Sequence, residues 1–126
     1  MLFRSIEKIR MRRRVRVALF STGDEIVEPG KRLPPAALYD ANRYLLLGLL
    51  DRLGAETDDL GIFADDPEIL SHAIDKAARG HDLVLTTGGV STGEADHVKT
   101  AVERLDRKST RLNSSHIQKS RMPSSA

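Results

Sequence analysis

The chain alternates short apolar runs with longer segments in which apolar residues recur every three or four positions. The runs VRVALF (15–20), ETDDLGIF (56–63) and DLVLTT (82–87) predict three strands. Residues 40–54, 66–80 and about 95–105 have helical spacing and predict three helices. Strand–helix alternation implies parallel strands joined by right-handed crossovers, with helices on both faces of the sheet. We therefore predict an α/β fold, a three-layer α/β/α arrangement around a mostly parallel sheet.

Capping and breaking residues place the ends of these elements. Asp66 is a predicted N-cap with Pro67 in the first helical turn, and Gly54 and Gly80 are expected to end their helices. Residues 27–39 contain three prolines and a glycine and are predicted to be a loop. The run DLVLTT is typical of a strand that is buried on both faces. The leucine stripe of the first helix is predicted to be core: Leu45, Leu46, Leu49, Leu50 and Leu53.

The two ends of the chain match translated DNA that does not come from a gene. Residues 106–116 (DRKSTRLNSSH) and 120–126 (SRMPSSA) correspond codon by codon to a short-read sequencing adapter, and residues 1–5 (MLFRS) correspond to its complementary side. We therefore expect 1–5 and 106–126 to be adapter-derived and 106–126 to be disordered, and both are excluded from fold reasoning. Residues 6–14 are then a linker, and 15–105 are part of the α/β domain.

Composition narrows the class of protein. Six basic residues and one acid lie outside 6–105, so the net charge changes from +2 for the whole chain to −3 for its central part. No aromatic residues accompany the basic run RMRRRVR (10–16), so we interpret it as a solvated linker and expect no nucleic-acid partner. The chain has no cysteine, and its longest apolar run, YLLLGLL, is too short to cross a bilayer. We expect a soluble, cytoplasmic protein without a membrane partner.

Glycines and hydroxyl residues follow the third predicted strand in the stretch TTGGVSTGEADHVK (86–99). Gly88 and Gly89 allow backbone N–H groups to approach an anion closely, while Ser91 and Thr92 add hydroxyl donors. The start of the next helix adds the positive end of its dipole. This combination favours the binding of phosphate or another oxyanion.

Acidic residues follow all three predicted strands, at the sheet edge where ligands of such folds bind. They are expected to converge on one rim: Asp24, Glu25, Asp65, Asp66, Glu94 and Asp96. Carboxylates beside a phosphate would repel it unless a hard cation such as Mg²⁺ lay between them. The pattern therefore indicates metal-assisted chemistry on a phosphate-bearing ligand.

Four segments in order, STGDEIVEPG, YDANRYLL, LGIFADDPE and TTGGVSTGEADHVK, resemble the central domain of the molybdopterin molybdenumtransferase family, the MoeA and gephyrin type enzymes. The resemblance covers nearly all of residues 6–105. It implies a MogA-like molybdopterin-binding fold and an enzyme that inserts molybdate into adenylylated molybdopterin with release of AMP. It also implies Mg²⁺ as the cofactor and a homodimeric parent protein.

The resemblance assigns roles position by position. Glu25 of TGDE, Asp65 of ADDP and Asp96 of GEAD match the family's essential acids, which are expected to hold Mg²⁺ and to position molybdate and the adenylate phosphate. The implied substrate-binding residues are Thr22, Gly23, Asp40, Asn42, Gly88, Gly89, Ser91, Thr92 and Gly93. The family's later KPGKP and GLPGNP segments do not follow Leu105. We therefore expect the domain to be truncated after its third strand–helix unit, and this polypeptide itself to be inactive.

Several residues near the predicted rim have simpler structural interpretations. Asp66 can serve as an N-cap alone, Asp24 can brace the turn after the first strand, and Glu94 can be a solvated acid that the helix dipole favours. The histidines have no metal-ligand spacing and are predicted to be structural or exposed: His72, His81 and His97.

Three other functions are compatible with this fold. A MogA-type adenylyltransferase would carry GGTG and an Arg-Asp pair in the third loop, and a CinA-type domain would carry GGLGPT, where this chain has GGVSTGEAD. A gephyrin-like binding module without catalysis would not need the three acids. Their presence favours chemistry.

Overall fold

The computed structural model of the protein describes residues 5–88 and 97–109, and their side chains up to residue 106. The strands are β1 (Arg16–Thr22), β2 (Ile26–Val27), β3 (Leu38–Tyr39), β4 (Glu56–Phe63) and β5 (Leu83–Gly88), and the helices are α1 (Ala41–Arg52), α2 (Pro67–Gly80) and α3 (His97–Ser109). The main sheet is parallel, in the order β4-β1-β5. None of the described helices is long and apolar enough to span a membrane.

The central strand β1 separates two cores. Val17 and Leu19 face α1 and pack with Leu50, whereas Phe20 faces the opposite side and packs with Leu70 of α2. Side chains alternate between the faces of a strand, so one apolar run supplies both cores. Helices therefore cover both faces of the sheet, and the predicted three-layer α/β/α arrangement is confirmed.

The strand that is buried on both faces is β1, not β5 as the sequence predicted. Residues 17–22 of β1 are buried throughout, while β5 alternates between exposed and half-buried positions. The physical reason is position in the sheet. Within the described residues β1 has a neighbour on each side, whereas β5 pairs with β1 alone. An apolar run does not reveal which strand lies at the centre.

Helix α1 begins and ends where the sequence predicted. The Asp40 carboxylate caps it by accepting from the Arg43 N–H, and Gly54 with φ of +75° follows its last turn. The prediction that the whole leucine stripe is core was wrong. Leu50 is buried and Leu46 half-buried, but others on the stripe are exposed: Leu45 at 63%, Leu49 at 47% and Leu53 at 82%. A helix on the outside of a layered fold buries one narrow side.

The segment predicted as a loop contains two short strands. Ile26 pairs with Leu38 and Val27 with Tyr39 in parallel, and the Tyr39 hydroxyl donates to the Lys31 carbonyl at 2.9 Å. We call residues 26–39 the flap. Two-residue strands are too short to show an alternating pattern of apolar residues, so the prolines of this segment predicted a loop.

Helices α2 and α3 pack together on the second face. Asp66 caps α2 by accepting from the backbone N–H groups of Glu68 and Ile69, and Pro67 occupies its first turn, as predicted. Helix α3 continues to Ser109, so residues 106–109 are helical where disorder was expected. Residues 106–109 contain no glycine or proline, and arginine and lysine are good helix formers that favour a helix C-terminus.

Residues 5–15 have no regular secondary structure, but they are attached to the sheet. The Arg13 guanidinium donates to both carboxylate oxygens of Asp82, at 2.7 and 2.5 Å. Asp82 also accepts from the Arg16 N–H at 2.9 Å. These contacts lower the pKa of Asp82 to about 2, the Arg13 hydrogen bond contributing most. One residue of the basic run is therefore paired with Asp82, although its side chain remains 68% exposed.

Candidate functional site

A cleft opens between the carboxyl ends of β1 and β5. The connection after β1 leads to α1 on one face of the sheet, and α3, which follows β5 in the chain, lies on the other face. Neighbouring parallel strands whose connections leave on opposite faces create the crevice in which open α/β sheets bind ligands. The cleft has a volume of about 140 Å³ and is lined by Ser21, Ile26, Leu38, Tyr39, Asp40, Ala41, Asn42, Thr87 and Gly88.

Gly88 lies where two strand ends come unusually close. It pairs with Thr22 and has φ of +85°, and a Cβ added to it would stand 2.2 Å from the Thr22 carbonyl oxygen. Such a separation is far below van der Waals contact, so the backbone excludes every side chain here. The predicted substrate-binding residues Thr22 and Gly88 are therefore in contact, and Gly88 lines the cleft.

Gly23 is required for a second reason. Its φ is +144°, and an added Cβ would lie 3.0 Å from Ile26 Cγ1 and 3.1 Å from both Glu25 carboxylate oxygens. The absence of a side chain at Gly23 allows the Glu25 carboxylate to lie over the turn after β1. The sequence TGDE thus folds as a tight turn that presents Glu25, which is exposed to solvent.

Asp40, the N-cap of α1, and Asn42, in its first turn, both line the cleft. Asp40 is only 3% exposed, whereas Asn42 is exposed. Burial alone would raise the pKa of Asp40, but the nearby Ser21 hydroxyl and hydrogen bonds from Arg43 lower it below the usual value. Asp40 is therefore an ionised acceptor, while the Asn42 amide can both donate and accept.

Two hydroxyls at the end of β1 are buried without a hydrogen-bond partner of good geometry. They are Ser21 Oγ and Thr22 Oγ1, in residues that are 1% and 0% exposed. Buried polar atoms in proteins are nearly always hydrogen-bonded, so orphaned ones call for an explanation such as a site for a ligand or water. Ser21 lines the cleft, and the sequence analysis did not include it among the site residues.

The predicted acids are brought together only in part. Asp65 follows β4, and its backbone N–H donates to Asp24 Oδ1 at 3.2 Å, so the loops after β1 and β4 are adjacent. Glu25 and Asp65 are both exposed on these loops. Among the described residues, no group of three His, Cys, Asp or Glu side chains is close enough to hold a metal ion. Other predicted site residues lie outside the described residues: Gly89, Ser91, Thr92, Gly93, Glu94 and Asp96.

A larger cavity of about 760 Å³ lies between α2 and β4, and its lining includes Leu60, Phe63, Ile69, Ala73 and Ala77. Its walls are mainly apolar and it is away from the β1–β5 crevice. Binding sites combine apolar walls with a few converging polar groups at such crevices. The lining of the larger cavity also includes Glu68, His72, Lys76 and His81, but only the smaller cleft lies at the crevice, so it is the better candidate site.

Arg43 is a residue of this region that the sequence analysis missed. Its side chain is 2% exposed and pairs with Asp40, Glu28 and Asp59. The spacing of Asp40 and Arg43 indicates at most a local pair on one helix turn. The other two partners lie 15 and 16 residues away in sequence, on the flap and on β4, so no local pattern could reveal them.

Comparison with known proteins identifies similar sequences. The chain is 41% identical over 100 residues to "Molybdopterin molybdenumtransferase" of Haemophilus influenzae, covering 79% of this chain and 25% of that protein. It is 41% identical over 101 residues to a protein of the same name from Nostoc, covering 80% of this chain and 23% of that one. The chain thus spans about a quarter of the length of these relatives.

The fold and the family are matched as well. A "molybdopterin biosynthesis moea protein" from Pyrococcus horikoshii superimposes with a TM-score of 0.63 at 39% identity, over 74% of this chain and 22% of that one. Residues 18–126 match the family described as "Probable molybdopterin binding domain". With a strand-end cleft of the expected kind and a family match over most of its length, the chain belongs to the molybdopterin-binding domain family of molybdenum cofactor biosynthesis.

Proposed function

We propose that this chain is a segment of a molybdenumtransferase that inserts molybdate into adenylylated molybdopterin and releases AMP. The observation that carries the proposal is the cleft at the β1–β5 crevice, where the Thr22–Gly88 contact, the Asn42 amide and the ionised Asp40 converge. The names of the relatives from Haemophilus influenzae and Nostoc support it over an adenylyltransferase or a CinA-type domain. The polypeptide itself is expected to be inactive, because it spans about a quarter of these relatives.

In this proposal the chain's own residues bind and orient the substrate. Gly88 lines the cleft, and its lack of a side chain lets the ends of β1 and β5 lie close together there. Asn42 offers an amide that can donate to a ligand oxygen, and the Ser21 hydroxyl near Asp40 lines the same cleft. Gly89, Ser91, Thr92 and Gly93 are proposed to complete the phosphate cradle. The parent protein is proposed to be a cytoplasmic homodimer.

Mg²⁺ is the metal proposed for this site. Glu25 and Asp65 present carboxylate oxygens on adjacent loops, and Mg²⁺ binds through one or two protein carboxylates together with substrate phosphates. The residues therefore fit the ion, with Asp96 proposed as a third acid. When bound, Mg²⁺ would neutralise the charge between the acids and the phosphate and polarise the phosphoryl oxygens.

A segment exchange tests the proposal. Residues 6–105 would replace the corresponding segment of the Haemophilus influenzae relative. The hybrid would be expressed in a strain that lacks its own molybdenumtransferase, and activity of a molybdenum-dependent enzyme would be measured. We expect the hybrid to restore activity, and Asp96→Asn and Glu25→Gln to abolish it while the protein remains soluble and folded.

The matched control is the pair Asp65→Asn and Asp66→Ala. Asp66 caps α2 through two backbone N–H groups, so its loss should lower the stability of the domain by about 1 kcal/mol and leave activity in place. Asp65→Asn should abolish activity and leave the stability of the domain unchanged. A folded hybrid that restores no activity would refute the proposed function. An Asp96→Asn hybrid that retains activity would refute the assignment of the acids.

A further inference from the structure

The chain contains a buried guanidinium that holds three separate parts of the fold together. Arg43 Nε donates to Asp40 at 2.7 Å and Nη1 donates to Asp59 on β4 at 2.5 Å. Its Nη2 donates to Glu28, at the start of the turn that follows β2. The Arg43 side chain is 2% exposed, while Glu28 and Asp59 are 31% and 34% exposed. One cation thus joins the flap, the N-terminus of α1 and the sheet.

This arrangement is not what stability alone would favour. Removing a guanidinium from water is costly, and a buried ion pair can often be replaced by apolar residues without loss of stability. An arginine also repels the positive end of the helix dipole in the first turn of α1. Burial lowers the pKa of Arg43, but hydrogen bonds to Asp40 and Asp59 raise it overall, so the group is charged. The planar guanidinium fixes the positions of three carboxylates, so it contributes more to the geometry of the site than to the free energy of unfolding.

The three attached parts are also the parts that build the candidate cleft. The flap supplies Ile26, Leu38 and Tyr39 to its wall, and the N-terminus of α1 supplies Asp40 and Asn42. The Arg43–Glu28 pair is one polar contact between the flap and the rest of the protein. A second polar contact also involves Glu28, because the Tyr44 hydroxyl donates to its carboxylate at 3.0 Å. The Tyr44 ring in turn lies 5.0 Å from the Arg43 guanidinium.

We propose that Arg43 is a positioning residue for the ligand of this cleft, and that Glu28 is the link through which it holds the flap closed. The ligand class is a nucleoside monophosphate ester, so this assignment rests on the proposed function. Arg43 is too buried to touch the ligand. It acts by holding the Asp40 carboxylate and the flap wall in fixed positions relative to β5.

The test uses the complete 126-residue chain and two variants, Glu28→Ala and Arg43→Lys. Glu28→Ala removes the partly exposed flap contacts with Arg43 and Tyr44 and leaves the Asp40 and Asp59 contacts of Arg43, so the fold should persist even if Arg43→Lys fails to fold. The control is Asp75→Ala, which removes an exposed pair with Arg79 on α2. Two quantities are measured by NMR: amide hydrogen exchange, and affinity for AMP with and without MgCl₂.

Exchange at Leu38 and Asp40 reports on the flap, because their N–H groups donate to the carbonyls of Glu25 and Val27 at 2.8 and 2.9 Å. Glu28→Ala should accelerate exchange at both positions by about tenfold and leave the amides of α2 unchanged, as local opening requires. It should also weaken AMP binding by several-fold at an unchanged urea midpoint. Asp75→Ala should change neither quantity.

Two results would overturn the positioning role. The first is exchange that is unchanged, or that rises equally in α2 and the flap. The second is AMP affinity in Glu28→Ala equal to that of the unmodified chain. A failure of the proposed function looks different: the unmodified chain would bind no AMP, while exchange in Glu28→Ala would still rise at the flap alone. In that case Arg43 holds the flap, but for another ligand.

Discussion

Single glycines differ sharply in what they contribute to this domain. Gly88 combines φ of +85° with the close approach to Thr22, whereas Gly48 is a helical residue in α1 with no atom within 4 Å of an added Cβ. We predict that Gly88→Ala destabilises the fold by about 1–3 kcal/mol or more, because the backbone must move. Gly48→Ala should stabilise it by about 0.5–1 kcal/mol. Urea unfolding of the two variants measures both, and equal effects would contradict the close contact.

His81 makes the stability of the fold depend on pH. Its Nε2 lies 2.7 Å from Asp58 and its Nδ1 lies 2.8 Å from the Ala77 carbonyl. Only the imidazolium donates through both nitrogens, so the Asp58 hydrogen bond, and then the Ala77 one, raise the pKa of His81 above 6.5. The resulting stabilisation is full below pH 6.5 and is lost as pH rises through the folded-state pKa.

Asp58→Asn tests this term. The unmodified chain should lose more of its free energy of unfolding than the variant between about pH 5.5 and about pH 8.5, because the variant lacks the main cause of the raised pKa. Urea unfolding at the two pH values gives the difference. The same pH dependence in both proteins would show that His81 is not coupled to Asp58.

At the scale of elements, the sequence predicts the ends of helices best, because neighbouring residues determine them. Asp66 and Pro67 define the start of α2, and Gly54 marks the end of α1, since capping depends on a few neighbouring residues. Burial depends on what lies across the space between elements. The leucine stripe of α1 therefore could not be divided into buried and exposed members, and the flap strands and the partners of Arg43 could not be found.

Leu50 in α1 and Leu53 just after its last residue show that the buried side of this helix is narrow. Leu50 is 8% exposed and packs with Val17 and Leu19, whereas Leu53 is 82% exposed. We predict that Leu50→Ala lowers the free energy of unfolding by about 2–5 kcal/mol, the usual cost of a cavity in a core. Leu53→Ala should change it by less than about 0.5 kcal/mol. Chemical denaturation distinguishes the two, and similar losses would mean that Leu53 is covered in solution.

At the scale of the whole molecule, topology places the candidate site. The sequence predicted which edge of the sheet binds ligands, because the carboxyl ends of parallel strands share one edge. It could not say which gap along that edge is used. That choice follows from strand order: β1 lies between β4 and β5, so the crevice forms where α1 and α3 leave on opposite faces. Strand order is a long-range property without a local signal.

The attachment of residues 5–15 to the sheet is also a property of the whole molecule. Arg13 and Asp82 are 69 residues apart in sequence, and their bidentate pair fixes the direction in which the chain enters β1. The hydrogen bond from Arg13 holds the pKa of Asp82 near 2, so the pair is intact above pH 3.8 and is lost only as pH falls toward 2. Asp82→Asn should therefore release the segment at neutral pH.

Limited trypsin digestion followed by mass spectrometry measures this release. Asp82→Asn should accelerate cleavage after Arg13 and Arg14 by roughly two- to fivefold, the scale of effect of an exposed ion pair. Cleavage after Arg10, which lies further from the sheet along the chain, serves as the internal reference. Asp75→Asn, which breaks the exposed pair with Arg79 on α2, is the matched control and should leave cleavage of the segment unchanged. If Asp82→Asn accelerates all these sites equally, the whole domain has become less stable and the pair does not set the path of the segment.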